Sequence, residues 1–267
     1  MTASLSPDEI SAYRRDGFLF PVRVMDASEA REARDRLEDV EKRFGPQHYR
    51  GKVHLVLPFV RALVGKPEVL GAVESLIGPD ILLWDCTFIV KEPGAATRVA
   101  WHQDLTYWAL EPAPTVVSIW IAFSASTVES GCVKMLPGTH RHGQLAHAER
   151  FSDGNILSRG QEIGEGIDPS AAVDVVLQPG EMSLHHGHVA HASQPNRSKD
   201  RRIGLNAQYI SANTRPTSDV SGYALSLRGK KRNLFFDEEF DPSGVYATAD
   251  CKRRDEILAA RNEIIYA

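Results

Sequence analysis

Ile81-Leu82-Leu83-Trp84-Asp85-Cys86-Thr87-Phe88-Ile89-Val90 is the stretch on which the fold turns. Its branched and aromatic content is that of a β-strand, and the chain changes character there. Before it the signals are helical. Ser6-Pro7-Asp8-Glu9 combines a serine cap, proline at the first helical position and a glutamate closing a capping box. The helix it opens runs through Tyr13 and ends at Gly17, and Phe18 to Val22 reads as a short strand. From Ser28 to about Phe44, Ala30, Ala33, Leu37 and Val40 recur at helical spacing among dense alternating charge, which reads as a solvated face. Pro67 to Ile77 is another helix, stopped by Gly78-Pro79-Asp80.

After Val90 strand-like runs recur at Arg98 to His102, Val116 to Phe123, Cys132 to Leu136, Val173 to Leu177, Met182 to His185 and Arg202 to Ile210. Turn clusters such as Pro137-Gly138-Thr139 and Gln178-Pro179-Gly180 separate them. Helices followed by many punctuated strands predict an α+β, mainly β chain whose core is a β-sandwich or jelly roll with a helical flank. The expected organisation is a single domain over residues 1–267: helical flank to about 80, core from about 81 to 212, and a C-terminal extension from 213. Phe151 to Ser170 interrupts the pattern. It is polar, carries Gly154, Gly160, Gly164 and Gly166, and is long for a connection, so it reads as a lid within an insertion of about 143–172. The tail has a basic run at Arg228-Gly229-Lys230-Lys231-Arg232, acidic residues from Asp237 to Asp241, and a predicted helix from about Ala249 to Ile265.

The composition excludes several classes of function. With 42% hydrophobic and 25% charged residues in 267, the chain can bury a sizeable core as an ordinary globular protein. A formal net charge of −4 gives no electrostatic case for nucleic acid or an anionic membrane as partner. Cys86, Cys132 and Cys251 have neither disulfide-framework nor zinc-ligand spacing and are expected as reduced thiols. The N-terminus lacks a basic start and an apolar run, and no stretch approaches bilayer length, so a soluble, cytoplasmic enzyme is expected.

The chemistry gathers around Trp101-His102-Gln103-Asp104. In an extended strand residues two apart share a face, so His102 and Asp104 can aim an imidazole and a carboxylate at one point. His191, in Leu184-His185-His186-Gly187-His188-Val189-Ala190-His191, would complete two histidines and one carboxylate on one side of a metal, with the opposite positions open. That donor set belongs to non-haem Fe(II) oxygenases. A lone His-x-Asp is more often a surface polar pair, and the stronger signal is Arg202, eleven positions after His191, opening the apolar strand Ile203-Gly204-Leu205. A guanidinium on a buried strand requires an anion, and its planar fork suits a carboxylate. A dicarboxylate that chelates the metal at one end and is clamped at the other, as 2-oxoglutarate would be, suits both features. His185, His186 and His188 read as structural or supporting, because three ligands suffice, and His140 and His142 as residues that orient a loop.

These residues, with Gly131-Cys132-Val133-Lys134-Met135-Leu136-Pro137-Gly138-Thr139-His140 and His191-Ala192-Ser193-Gln194-Pro195-Asn196, resemble the phytanoyl-CoA dioxygenase family of Fe(II)- and 2-oxoglutarate-dependent oxygenases. The resemblance runs in order and spacing over roughly residues 5 to 210. It implies a double-stranded β-helix (jelly roll, cupin-like) core flanked by N- and C-terminal helices, with Fe(II), 2-oxoglutarate and O2 as cofactors. It implies His102, Asp104 and His191 as iron ligands, Arg202 and Ser193 on the distal carboxylate of 2-oxoglutarate, and no catalytic group beyond the metal centre. Trp120 and Trp84 are candidates for lining that pocket and equally for core aromatics. Lys52 reads first as a solvated surface lysine and second as a residue reaching the site. Family members that halogenate carry a small residue where this chain has Asp104, so hydroxylation or another oxidation of an unactivated C–H bond is implied. For the substrate, Thr106, Tyr107 and Trp108 are expected at the cavity mouth, Asn155, Arg159 and Gln161 on the lid, and Asn206 and Gln208 at the strand parity of Arg202. Their polarity favours a small hydrophilic metabolite over a fatty acyl chain. The expected state is monomer or homodimer. A non-oxygenase cupin-type metal enzyme and a metabolite-binding jelly-roll protein are the alternatives.

Overall fold

The computed structural model describes residues 4–106, 108–149, 154–157, 160–217, 222–230 and 235–266. Along the chain, α1 (Pro7–Asp16), β1 (Phe18–Arg23), α2 (Ala27–Phe44), α3 (Pro58–Val64) and α4 (Pro67–Ile77) precede β2 (Ile81–Lys91). Then come β3 (Val99–His102), β4 (Leu110–Glu111), β5 (Val116–Ala122), β6 (Val133–Met135), β7 (His147–Glu149) and β8 (Gln161–Ile163). They are followed by β9 (Val173–Val175), β10 (Glu181–His186), β11 (His191–Ser193) and β12 (Arg202–Ser211). The C-terminal part adds β13 (Arg215–Pro216), β14 (Gly222–Arg228), β15 (Phe236–Glu238) and α5 (Thr248–Tyr266).

The core is a jelly roll of two sheets. The larger runs β1-β10-β5-β12-β2-β14-β15 and the smaller β3-β11-β6-β9. On the outer face of the larger sheet, Leu83, Cys86, Phe88 and Val90 of β2 pack into one cluster with Leu37 of α2, Val60 of α3 and Val69 of α4. The expected apolar stripe of α2 is buried, but its start is capped by Asp26 in a box with Glu29, one residue earlier than Ser28 as first helical residue. Its charged face is not simply solvated. Arg34 pairs with Asp200 at 2.7 Å and Glu41 with Arg201 at 2.8 Å, tying the helix to the turn that enters β12.

Three features depart from the sequence expectation. The segment at Pro58–Val64 is helical, with proline at the first position. β11 is only three residues long, too short for a periodicity to register. The lid region carries regular structure: β8 pairs with β7 in a hairpin and Pro169–Ala171 forms a 3₁₀ turn. The C-terminal extension is built into the molecule: β14 joins the large sheet at β2, and β15 pairs with β14 in parallel.

Candidate metal centre and its cavity

Asp104 does not lie on the strand that carries His102. β3 ends at His102, and Asp104 opens a 3₁₀ turn, Asp104–Thr106. Strand parity therefore does not explain how the two meet; the turn brings the carboxylate back. Gln103 between them is buried, and its amide nitrogen donates to the carbonyls of Gly143 (2.8 Å) and His188 (2.7 Å), anchoring that turn. His191 arrives by strand pairing, because β11 lies antiparallel to β3 with His191 opposite His102. Their rings are 4.1 Å apart between centroids.

The tautomers follow from the backbone. His102 Nδ1 lies 2.9 Å from the Ala100 carbonyl and His191 Nδ1 3.0 Å from that of Val189. A carbonyl only accepts, so each Nδ1 carries the proton and each Nε2 presents a lone pair. Both Nε2 atoms stand 3.6 Å from Asp104 Oδ1, and one donor atom from each residue lies within 4.8 Å of the others. Asp104 Oδ2 is held from behind by Ser118 Oγ (2.8 Å) and His185 Nε2 (3.1 Å). Burial, then the neighbouring His102 ring, brings His191 down to about 3, which keeps it a neutral ligand. Burial pushes the Asp104 carboxyl up, but His191, His102 and His185 together hold it well below the usual carboxylate range. A neutral–neutral–anionic set with Nε2, Nε2 and O donors on one side fits a divalent iron-like cation.

The triad opens into a cavity of about 470 Å³ whose floor is the inner face of the large sheet. One cross-strand row runs His185, Ser118, Gln208, Asp85; beside it lie Trp120, Asn206 and Thr87. Trp84 and Asp85, adjacent in sequence, both line the cavity. A register shift in β12 opposite them, between Gln208 and Tyr209, breaks the alternation of faces. Arg202, at the start of β12, is 1% exposed. Its Nη1 donates to the Gly131 carbonyl, its carbon stands 5.1 Å from the Trp120 ring centre, and its Nε has no partner among the described residues. Burial lowers its pKa to about 10. Gly204 leaves room for the indole that flanks Arg202: a Cβ there would stand 2.0 Å from Trp120.

The structure therefore gathers His102, Asp104, His191, Ser193, Arg202, Trp84, Trp120, Trp108, Asn206 and Gln208 around one space. Others fall elsewhere. Thr106 lines a separate surface pocket with Gln144 and His147. Asn155 uses its Oδ1 to accept from the Ala100 and Leu157 amides, so it pins the lid to β3, while the apolar Ile156 and Leu157 line the cavity. Tyr107, Arg159 and the side chain of Gln161 lie outside the described residues. Lys52 is no surface residue. It is 1% exposed, donates to the Trp84 carbonyl at 2.5 Å and pairs with the buried Glu239 of the C-terminal extension. Its ammonium is thereby committed away from the cavity.

Sequence reasoning missed Ser118, Asp85, Lys91 and Arg261. Ser118 left a readable trace as the polar interruption in Val116-Val117-Ser118-Ile119-Trp120, at the parity of Trp120. Arg261 left none. It reaches the cavity from α5, pairs with Asp85 and lies against Gly51, where a Cβ would stand 2.9 Å from its Nη1.

Comparison with known proteins agrees with this geometry. Residues 13–204 match the model of the phytanoyl-CoA dioxygenase (PhyH) family. Human peroxisomal phytanoyl-CoA dioxygenase is 28% identical over 149 residues, covering 55% of this chain and 44% of that protein. The phytanoyl-CoA dioxygenase domain-containing protein 1 of Mus musculus is 30% identical over 164 residues, covering 60% and 55%. The chain thus spans about half the length of these curated relatives. Among solved structures, the apo form of ThoJ, described as a non-heme monooxygenase, superposes with a TM-score of 0.86 at 31% identity over 97% of this chain and 98% of that one. CytC3 with Fe(II) and alpha-ketoglutarate shares the fold at 22% identity and a TM-score of 0.65. With the family match spanning most of its length and carrying the whole triad, this chain is a member of the phytanoyl-CoA dioxygenase family.

Proposed function

We propose that this protein is an Fe(II)- and 2-oxoglutarate-dependent oxygenase that hydroxylates an unactivated C–H bond of a small polar metabolite. Iron with bound 2-oxoglutarate and O2 would supply the oxidation, in which R–H, 2-oxoglutarate and O2 become R–OH, succinate and CO2. The residues of this chain do the rest. His102, Asp104 and His191 would hold the metal on one side, with Ser118 and His185 fixing the carboxylate oxygen that faces away from it. Arg202 and Ser193 would take the distal carboxylate of 2-oxoglutarate, the guanidinium held in place by Trp120 and the Gly131 carbonyl.

The observation that carries this reading is a coincidence in space. A buried guanidinium whose Nε has no partner among the described residues opens onto the same cavity as the three metal donors. An enclosed cation without a counter-ion is costly, and a keto acid anchored at both ends satisfies it. Asp104 supports hydroxylation, since halogenating family members have a small residue at that position. Beyond the keto-acid anchor the cavity continues past Gln208, Asp85 and Arg261, with Thr87 Oγ1 and Asn206 Oδ1 lacking partners among the described residues. Those groups favour a hydrogen-bonding substrate over a fatty acyl chain, with Trp84 and Trp108 as its apolar walls.

The test is anaerobic addition of Fe(II) and 2-oxoglutarate, which should develop the weak visible band of the chelate, followed by a metabolite-pool screen for substrate-stimulated succinate release. His102→Ala and Asp104→Ala should lose both. A wild-type chain that binds Fe(II) yet shows no band with 2-oxoglutarate is not this kind of enzyme.

A further inference from the structure

We infer that Lys91 is a positioning residue for the distal carboxylate of the keto-acid co-substrate, turning the Ser193 hydroxyl into an obligate donor and placing a second cation beside Arg202. This rests on the co-substrate reading above and adds to it a residue that no sequence motif marked.

In the pairing of β2 with β12, Lys91 stands directly opposite Arg202. Residues opposite each other across an antiparallel ladder project from the same face, so the two groups lie side by side on the inner face of the sheet, Arg202 lining the cavity and Lys91 reaching it through Ser193. Lys91 is 0% exposed and Arg202 1%. Like charges directly opposite are destabilising, and neither has a carboxylate partner among the described residues. Burial, then Arg202, pushes the Lys91 ammonium down to about 6. Two such groups side by side in the interior are an arrangement that an anion relieves.

The hydrogen bonds then assign directions. Lys91 Nζ donates to Ser193 Oγ at 2.7 Å and to the Gln194 carbonyl. A carboxylate bound beside Lys91 favours its charged form, and an ammonium cannot accept, so in that state a Ser193 lone pair is occupied by Lys91 and the hydroxyl proton must go elsewhere. It finds no acceptor among the described residues, and Ser193 lines the cavity. The serine is left aimed as a donor at whatever lies beside Arg202. Asn196 braces the site further, its Nδ2 donating to the Lys91 carbonyl at 2.9 Å.

The experiment is an anaerobic titration of the Fe(II)-loaded full chain with two keto acids, 2-oxoglutarate and 2-oxobutyrate, read by the chelate band. Both can chelate the metal, but only the first has a distal carboxylate. Lys91→Met should weaken 2-oxoglutarate binding by about tenfold to a hundredfold, the scale of a charge-assisted hydrogen bond, and leave 2-oxobutyrate binding unchanged. On a Ser193→Ala background the same substitution should cost less than it does alone. Lys91→Gln, close in length and still polar, serves if the methionine variant fails to fold; it should show the same selectivity to a smaller degree. Unchanged 2-oxoglutarate affinity overturns the inference. So does an equal loss for both keto acids, which would make Lys91 a support for the metal site alone, and so does full additivity with Ser193→Ala. If wild type itself gives no band with 2-oxoglutarate, the co-substrate reading fails first.

Discussion

Replacing Ser118 with alanine probes how the metal-binding carboxylate is built. Ser118 sits in the middle of β5, fully buried, and donates 2.8 Å to Asp104 Oδ2, leaving Oδ1 to face His102 and His191. The substitution removes one of two hydrogen bonds to a buried anion, and His185 at 3.1 Å remains. A hydrogen bond to a charged group contributes about 1.5–3 kcal/mol. Loss of a residue that orients a metal ligand typically costs about 10–100-fold in metal affinity, and at about 1.4 kcal/mol per decade the two estimates agree. Metal affinity would be measured under anaerobic conditions by competition with a chromophoric chelator, using Fe(II) and Mn(II). The expected result is a loss of about one to two decades for both ions, with 2-oxoglutarate binding little changed once the metal is saturating. If the alanine variant holds both ions as tightly as wild type, the 3₁₀ turn alone orients Asp104, and the role given to the β5 hydroxyl is wrong.

Three further outcomes follow from the same structure. Gly204→Ala puts a methyl group 2.0 Å from the Trp120 indole; it should destabilise the chain by about 1–3 kcal/mol in denaturant titration and weaken 2-oxoglutarate binding, because the displaced ring is the one beside Arg202. Glu239→Gln leaves Lys52 buried without its counter-ion and should cost about 3–5 kcal/mol of stability; a loss below 1 kcal/mol would show that the C-terminal extension is peripheral to the fold. Burial raises the Glu239 carboxyl, but Lys52 and His54 more than offset this and hold it below its ordinary value. Its contribution is therefore fully present above the unfolded value of about 4.3 and lost as pH falls through the lower folded value. Wild type should lose more stability than Glu239→Gln over that acid window.

Lys52 and Glu239 show where reading the chain by residue type stops. A lysine in Arg50-Gly51-Lys52-Val53 looks like any solvated cation, and an acidic run from Asp237 to Asp241 looks like a surface tail. They become one buried pair only because β15 aligns on β14 and carries Glu239 against the segment before α3. Nothing within reach of either residue along the chain announces the other.

What could be read from the chain was local. Ser6 capping α1, the apolar stripe of α2 and the branched residues of β2 and β5 act over a few neighbours, so their type and spacing suffice. The metal-type donors at His102, Asp104 and His191 and the guanidinium at Arg202 were legible for a similar reason, since that chemistry admits few residue types. Tertiary structure alone decided how those groups face one another. The turn after β3 aims Asp104, the irregular pairing of β12 with β2 turns Trp84 and Asp85 to the same side, and the pairing of β2 with β12 sets Lys91 opposite Arg202. Register and bulges are settled by packing between strands far apart in the chain, where a shift of one residue reverses every face, and no short window of sequence contains that information.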